Sequence, residues 1–136
     1  MEQTPFDRLG GEGALRAILK DFYDRLFDDL LVGFFFQGKD KAQLIDHQYH
    51  FTARALGGPV TYSGKTIAAA HKPLPILAGH FDRRHLVLRQ TLEDHRVAED
   101  IREVWLKLDL SFREVVVKAP GAPGTGQIRK GPRPSP

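Results

Sequence analysis

Val97, Ile101, Val104, Leu108, Phe112 and Val115 recur at i, i+4, i+7, i+11, i+15 and i+18, a spacing that only an α-helix brings onto one face. The stripe predicts a helix over about 97–118, and a helix of that length must bury its apolar side against other elements. The same kind of element recurs upstream. Leu15, Leu19, Phe22 and Leu26 have helical spacing, with Ile18, Tyr23, Phe27 and Leu30 on adjoining rows. They predict an amphipathic helix of about five turns. The β-branched run Val115 to Val117 lies on the last helical stripe itself. The chain therefore reads as all-α.

Glycine, proline and capping residues divide the helices. Thr4 before Pro5 is an N-cap with proline at the first helical position, opening a short helix that Gly10 and Gly11 end. Gly33 interrupts the second. Asp40 with Gln43 three residues on resembles a capping box and starts a helix to about Leu56, which Gly57-Gly58-Pro59 stops. Residues 59–65 read as a loop. A short piece from Thr66 to Lys72 must end before Pro73, because proline disfavours helical geometry in the residue preceding it. A further helix is expected from about His80 to Glu93. The 136 residues suit one domain, assigned to 1–118. The last 18 residues hold five prolines and four glycines, too little apolar surface to offset ordering entropy, and are expected to form a disordered basic tail.

Charge sits in that tail. The chain has 20 basic and 17 acidic residues, and Arg129, Lys130 and Arg133 account for the whole excess. A neutral globule with a basic tail lacks the cationic groove of a nucleic-acid binder, so no nucleic-acid partner is expected; a helical interaction domain using the tail to hold acidic partners would be weak and salt-sensitive. With no cysteine, disulfides, thiolate metal sites and cysteine nucleophiles are excluded. No apolar run approaches the roughly 20 residues of a membrane helix, and the first residues carry no export signal. The expected setting is cytoplasmic, with no membrane partner.

The six histidines, His47, His50, His71, His80, His85 and His95, form no HExxH motif, and neither a GxSxG elbow nor a glycine-rich phosphate loop is present. His71 stands apart. It follows Ala68-Ala69-Ala70 near the end of a very short helix, where small residues leave a flat surface for a macrocycle and the helix end fixes the imidazole's direction. A neutral imidazole placed in this way suits the axial position of a haem. Across from it, Leu44, His47, Gln48 and Phe51 share one helical face. Gln48 on that apolar stripe, and Tyr23 on its own, need hydrogen-bond partners if buried. Either they bond each other and fix the core, or they point at a small polar ligand. Phe34-Phe35-Phe36 cannot all face water without cost, each buried ring being worth on the order of 2 kcal/mol; a core corner is the simpler reading, a cavity wall the other.

Taken in order, Leu9-Gly10-Gly11, Phe22-Tyr23 with Arg25, Phe35-Phe36, His47-Gln48 with Phe51, Gly57-Gly58, Tyr62 and Gly64, Ala70-His71-Lys72 and His80-Phe81-Asp82 resemble the truncated haemoglobins, the two-over-two bacterial globins. The resemblance spans residues 6 to about 118. It implies a two-over-two helical sandwich around haem b, with His71 as the iron's proximal ligand. Tyr23 would hydrogen-bond ligand on the distal side, assisted by Gln48, and Phe36 would pack on the porphyrin. Leu44 would occupy the distal gate, with Phe51 and Phe81 as further pocket residues. Tyr62 and Lys65 fall where relatives contact the haem propionates, and His47 where some bind iron from the second side. The glycine pairs and Gln48 resemble the first subgroup, Leu74-Pro75-Ile76 the third. Arg84 stands where the second and third usually place tryptophan; it is expected to swing out to solvent over its aliphatic stem, the alternative being that it changes the polarity of the distal side. Trp105 reads as core.

The function so implied is binding of dioxygen, nitric oxide and carbon monoxide. Two forms of it are open. One is an enzyme of the nitric oxide dioxygenase type, oxidising nitric oxide to nitrate with a reductase partner. The other is a module for oxygen storage, sensing or haem binding without turnover.

Overall fold

Thr4 opens the first helix as its sequence predicts. In the computed structural model, which describes residues 3–62, 71 and 74–118, the Thr4 hydroxyl accepts from the Asp7 N–H at 3.1 Å and Asp7 accepts in return from the Thr4 N–H. This box starts α1 (Pro5–Leu9), and Gly10, at φ 118°, both ends α1 and opens α2 (Gly11–Asp28). A left-handed residue at that corner favours glycine. A 3-10 turn (Gly33–Phe36) follows, then α3 (Lys41–Ala55), capped by Asp40 accepting from the Gln43 N–H. After the loop come α4 (Ala78–Asp94), α5 (Glu99–Ser111) and α6 (Arg113–Val116). No strand occurs among the described residues.

α2 pairs with α3, α4 pairs with α5, and α2 packs across α4 to join the two layers. The seam buries Leu15, Leu19, Phe22 and Leu26 of α2 with Leu88 and Leu92 of α4, while Leu56 closes the end of α3. Each such side chain contributes roughly 1.5–3 kcal/mol on leaving water. The second glycine pair has a packing reason: a Cβ on Gly58 would lie 2.9 Å from the Phe6 ring. The chain can thus bring α1 against the end of α3, where the Phe6 N–H donates to the Leu56 carbonyl at 2.9 Å.

Two expectations about helix extent are corrected. The second helix stops at Asp28, and Leu30, grouped with its apolar rows, is 98% exposed. The Asp29 carboxylate ends it by accepting from the Leu31 and Val32 N–H groups and from Arg83 of α4. The long last helix breaks at Phe112, and Val104 and Val115 of its stripe are exposed. The break re-aims the chain so that Val116 packs with Ile76 and Phe81 in a second, smaller cluster, and the Lys118 N–H reaches the Ile76 carbonyl at 2.8 Å. The expected tail and, apart from His71, the short helix at 66–72 lie outside the described residues.

Candidate functional site

The layers do not close on each other everywhere. Between them lies a cavity of about 420 Å³, within the range of small-molecule and cofactor sites. α2 contributes Tyr23, the 3-10 turn Phe35 and Phe36, and α3 Leu44, His47, Gln48, Phe51 and Thr52; Tyr62 and His71 follow, with Phe81 and Arg84 from α4 and Trp105 and Asp109 from α5. All the described residues singled out from the sequence therefore meet in one place: Tyr23, Phe36, Leu44, His47, Gln48, Phe51, Tyr62, His71 and Phe81. Lys65 lies outside the described residues. Both readings of the phenylalanine run are realised. Phe36 stands edge-on to Tyr23 with ring centres 6.2 Å apart and stacks on Phe27, while Phe34 is half-exposed.

The polar groups on the α2–α3 side form a short chain. Gln48 Nε2 donates to Thr52 Oγ1 at 2.8 Å, and the Tyr23 hydroxyl donates to Gln48 Oε1 at 3.4 Å. The second contact is long beside the usual 2.7–2.8 Å of an O–H···O bond. Tyr23 and Gln48 do reach each other, but weakly enough that a better acceptor could take the phenol's proton. Burial pushes the Tyr23 pKa up, against the pull of the Arg84 guanidinium. The phenol therefore stays protonated and able to donate.

Arg84 corrects the expectation of a solvent-facing side chain. It turns inward along the cavity wall, 27% exposed, and its Nη1 donates to Asp109 Oδ1 at 2.6 Å. The guanidinium carbon lies 5.2 Å from the centre of the Phe22 ring. Asp109 is 12% exposed, and its Oδ2 accepts from Nδ1 of His85 at 2.8 Å. Burial opposes ionisation of Asp109, yet the charge of Arg84 and hydrogen bonds from His85 and Arg84 hold its pKa at about 2. Snorkelling loses because a carboxylate waits inside, and a paired buried guanidinium avoids the cost of an isolated one.

Sequence reasoning missed this pair, although a signal existed. Arg84 lies in the inward register of Phe81 and Leu88, and Asp109 in that of Trp105 and Phe112. One charge of each sign on two facing apolar stripes marks a buried ion pair. Trp105 is buried, as expected of a core residue, but also lines the cavity. His80 is held locally: its Nδ1 accepts from the Leu77 N–H at 3.0 Å, capping α4, and burial lowers its pKa.

The donors present fit a haem better than a bare ion. No group of three or more His, Asp or Glu is arranged to hold a metal among the described residues. One imidazole, His71, with the walls of Phe36, Phe51, Phe81 and Trp105 offers what a flat apolar macrocycle with one open axial position requires. The Lys118 ammonium donates to the His71 carbonyl at 3.2 Å, tying that segment to the end of α6.

Comparison with known proteins agrees with this geometry. The family model described as "Bacterial-like globin" matches residues 4–117. The chain is 34% identical over 99 residues to a protein of Tetrahymena pyriformis named group 1 truncated hemoglobin, covering 73% of this chain and 82% of that one. It superposes on the crystal structure of a truncated hemoglobin from the same organism in its Fe(III) form with a TM-score of 0.78, at 31% identity over 86% of this chain and all of the other. The 2/2 hemoglobin of a Synechococcus species, solved in the cyanomet state with covalently attached heme, gives a TM-score of 0.77 at 29% identity, covering 85% and 98% of the two chains. An all-helical two-over-two frame, a cavity walled by aromatic rings and a match along almost the whole described chain have one explanation: the protein belongs to the bacterial-like globins and is a truncated haemoglobin.

Proposed function

We propose that the chain holds haem b in the cavity with His71 as axial ligand, and that Tyr23 and Gln48 retain dioxygen, nitric oxide or carbon monoxide on the opposite side. Haem-based gas binding in general follows from membership of the family; the residue roles and the haem type are part of the proposal. The observation that carries it is the long Tyr23–Gln48 contact in an aromatic-walled cavity that His71 also lines.

The haem supplies an iron that binds a diatomic gas; the protein supplies the surroundings. Phe36, Leu44, Phe51 and Phe81 exclude water and grip the macrocycle by dispersion. Tyr62 and Lys65 are assigned to the propionates. The Tyr23 phenol, kept protonated by burial, donates to the ligand atom that gathers negative charge, and Gln48, anchored by Thr52, steadies that donor. This is electrostatic preorganisation, with the dipoles oriented before the ligand arrives. His47, exposed at the rim one residue before Gln48, is assigned to closing the second axial position when no gas is present.

The enzymatic form of the reading is oxidation of nitric oxide, in which nitric oxide, dioxygen and one electron give nitrate, the electron coming from a reductase. Mixing the oxygenated protein with nitric oxide should give one nitrate per haem; a protein that retains the gases but forms no nitrate is the storage or sensing module instead. The test of the site itself is His71→Ala. The variant reconstituted with haem should lose the parent's Soret position and its carbon monoxide response, and an unchanged spectrum would remove His71 from the axial position.

A further inference from the structure

The gas-binding reading leaves Arg84 without a task. Its Nη1 is held by Asp109, whose other oxygen is held by His85, so both carboxylate oxygens are engaged from within the α4–α5 layer. An arginine carries five N–H donors in a rigid plane and no acceptor. Asp109 is given one of them through Nη1, and the charge of the guanidinium also acts on the Tyr23 hydroxyl. The charged side chains lining the cavity among the described residues are Lys39 and Arg84 against Asp109, a cationic excess. A fixed guanidinium with donors to spare, beside a phenol that also donates, is matched by a group that only accepts.

We propose that Arg84 is a ligand-contacting, specificity-determining residue that lets the cavity take small inorganic anions, which it holds together with Tyr23. Asp109 is its positioning residue: the carboxylate, gripped from behind by His85, fixes the guanidinium at the cavity wall. Phe22 supports one face of the guanidinium. The proposal rests on the haem reading, since the haem both completes the anion's site and reports on it.

The test uses the full chain reconstituted with ferric haem and titrated with azide and with fluoride, followed by the Soret shift. The ferrous protein with carbon monoxide, followed by the infrared C–O stretch, is the neutral-ligand control. Arg84→Met should weaken both anions about tenfold or more, the worth of a charge-assisted hydrogen bond. It should move the C–O stretch to higher wavenumber as a nearby positive charge is lost, and change carbon monoxide affinity far less. Because Arg84→Met leaves Asp109 without its partner, the titrations are repeated on Arg84→Met/Asp109→Asn, with the same expectation. Asp109→Asn alone should lower anion affinity by less than either. Parental anion affinities and an unmoved C–O stretch in a haem-loaded Arg84→Met or double variant would overturn the assignment of Arg84. A parent chain that forms no Soret band would overturn the haem reading and this proposal together.

Discussion

At one end of the molecule Leu15 and Leu19 of α2 interlock with Leu88 and Leu92 of α4, each 1% exposed or less. At the other, Tyr23 of α2 and Phe81 and Arg84 of α4 face a cavity of about 420 Å³. The same two helices build both ends, with one apolar stripe running through each. What changes is side-chain shape and polarity. Flexible leucines fill space from either side, whereas rigid rings standing edge-on, such as Tyr23 against Phe36 and Phe51 against Tyr62, wall the open end. Polar groups at the open end are then spared a dry contact. The closed end should therefore carry stability and the open end binding, and substitutions can separate the two.

The largest expected effect belongs to the closed end. Leu92→Ala should cost about 3 kcal/mol of unfolding free energy in denaturant titration, within the usual 2–5 kcal/mol for a fully buried leucine. The haem-loaded spectrum of the fraction that folds should stay as it was; a shifted Soret band would show that the two ends are not separate.

Acid should act at the boundary between them. The Asp109 pKa is held at about 2, below its ordinary 3.8. A depressed carboxylate adds stability that is fully present above the unfolded value and is lost as pH falls through the folded one. Its contribution, on the order of 2 kcal/mol, should therefore disappear between about pH 4 and pH 2. Asp109→Asn should flatten that part of the stability–pH curve. An equally steep acid limb in the variant would assign the loss to other groups.

Tyr23→Phe should move the open end alone. The 3.4 Å bond to Gln48 holds little stability, so the unfolding midpoint should barely change. Oxygen dissociation should speed up roughly tenfold, the worth of one hydrogen bond to a charged acceptor. Unchanged dissociation kinetics would take Tyr23 out of the binding role, and a large loss of stability would place it with the closed core.

Much of this was legible residue by residue. Leu15, Leu19, Phe22 and Leu26 announce α2 by spacing, the Thr4, Asp40 and glycine signals locate helix ends, and Gln48 on an apolar face announces a buried polar site. The misread parts depend on partners far along the chain. Leu30 has the right spacing for α2, yet the Asp29 carboxylate, drawn away by Arg83 of α4, ends the helix first. Val115 has the right spacing for the last stripe, but the pull of Ile76 and Phe81 on Val116 breaks the helix at Phe112. Arg84 considered by itself belongs in water.

The sequence by itself determined the helical class, most helix boundaries and the residue types that gather at the cavity, because periodicity and capping are local and act within a few residues. The tertiary structure alone decided which way Arg84 turns, where the last helix breaks and how much space remains between the layers. Those outcomes turn on pairs such as Arg84–Asp109, separated by 25 positions, whose energy exists only once two helices lie side by side.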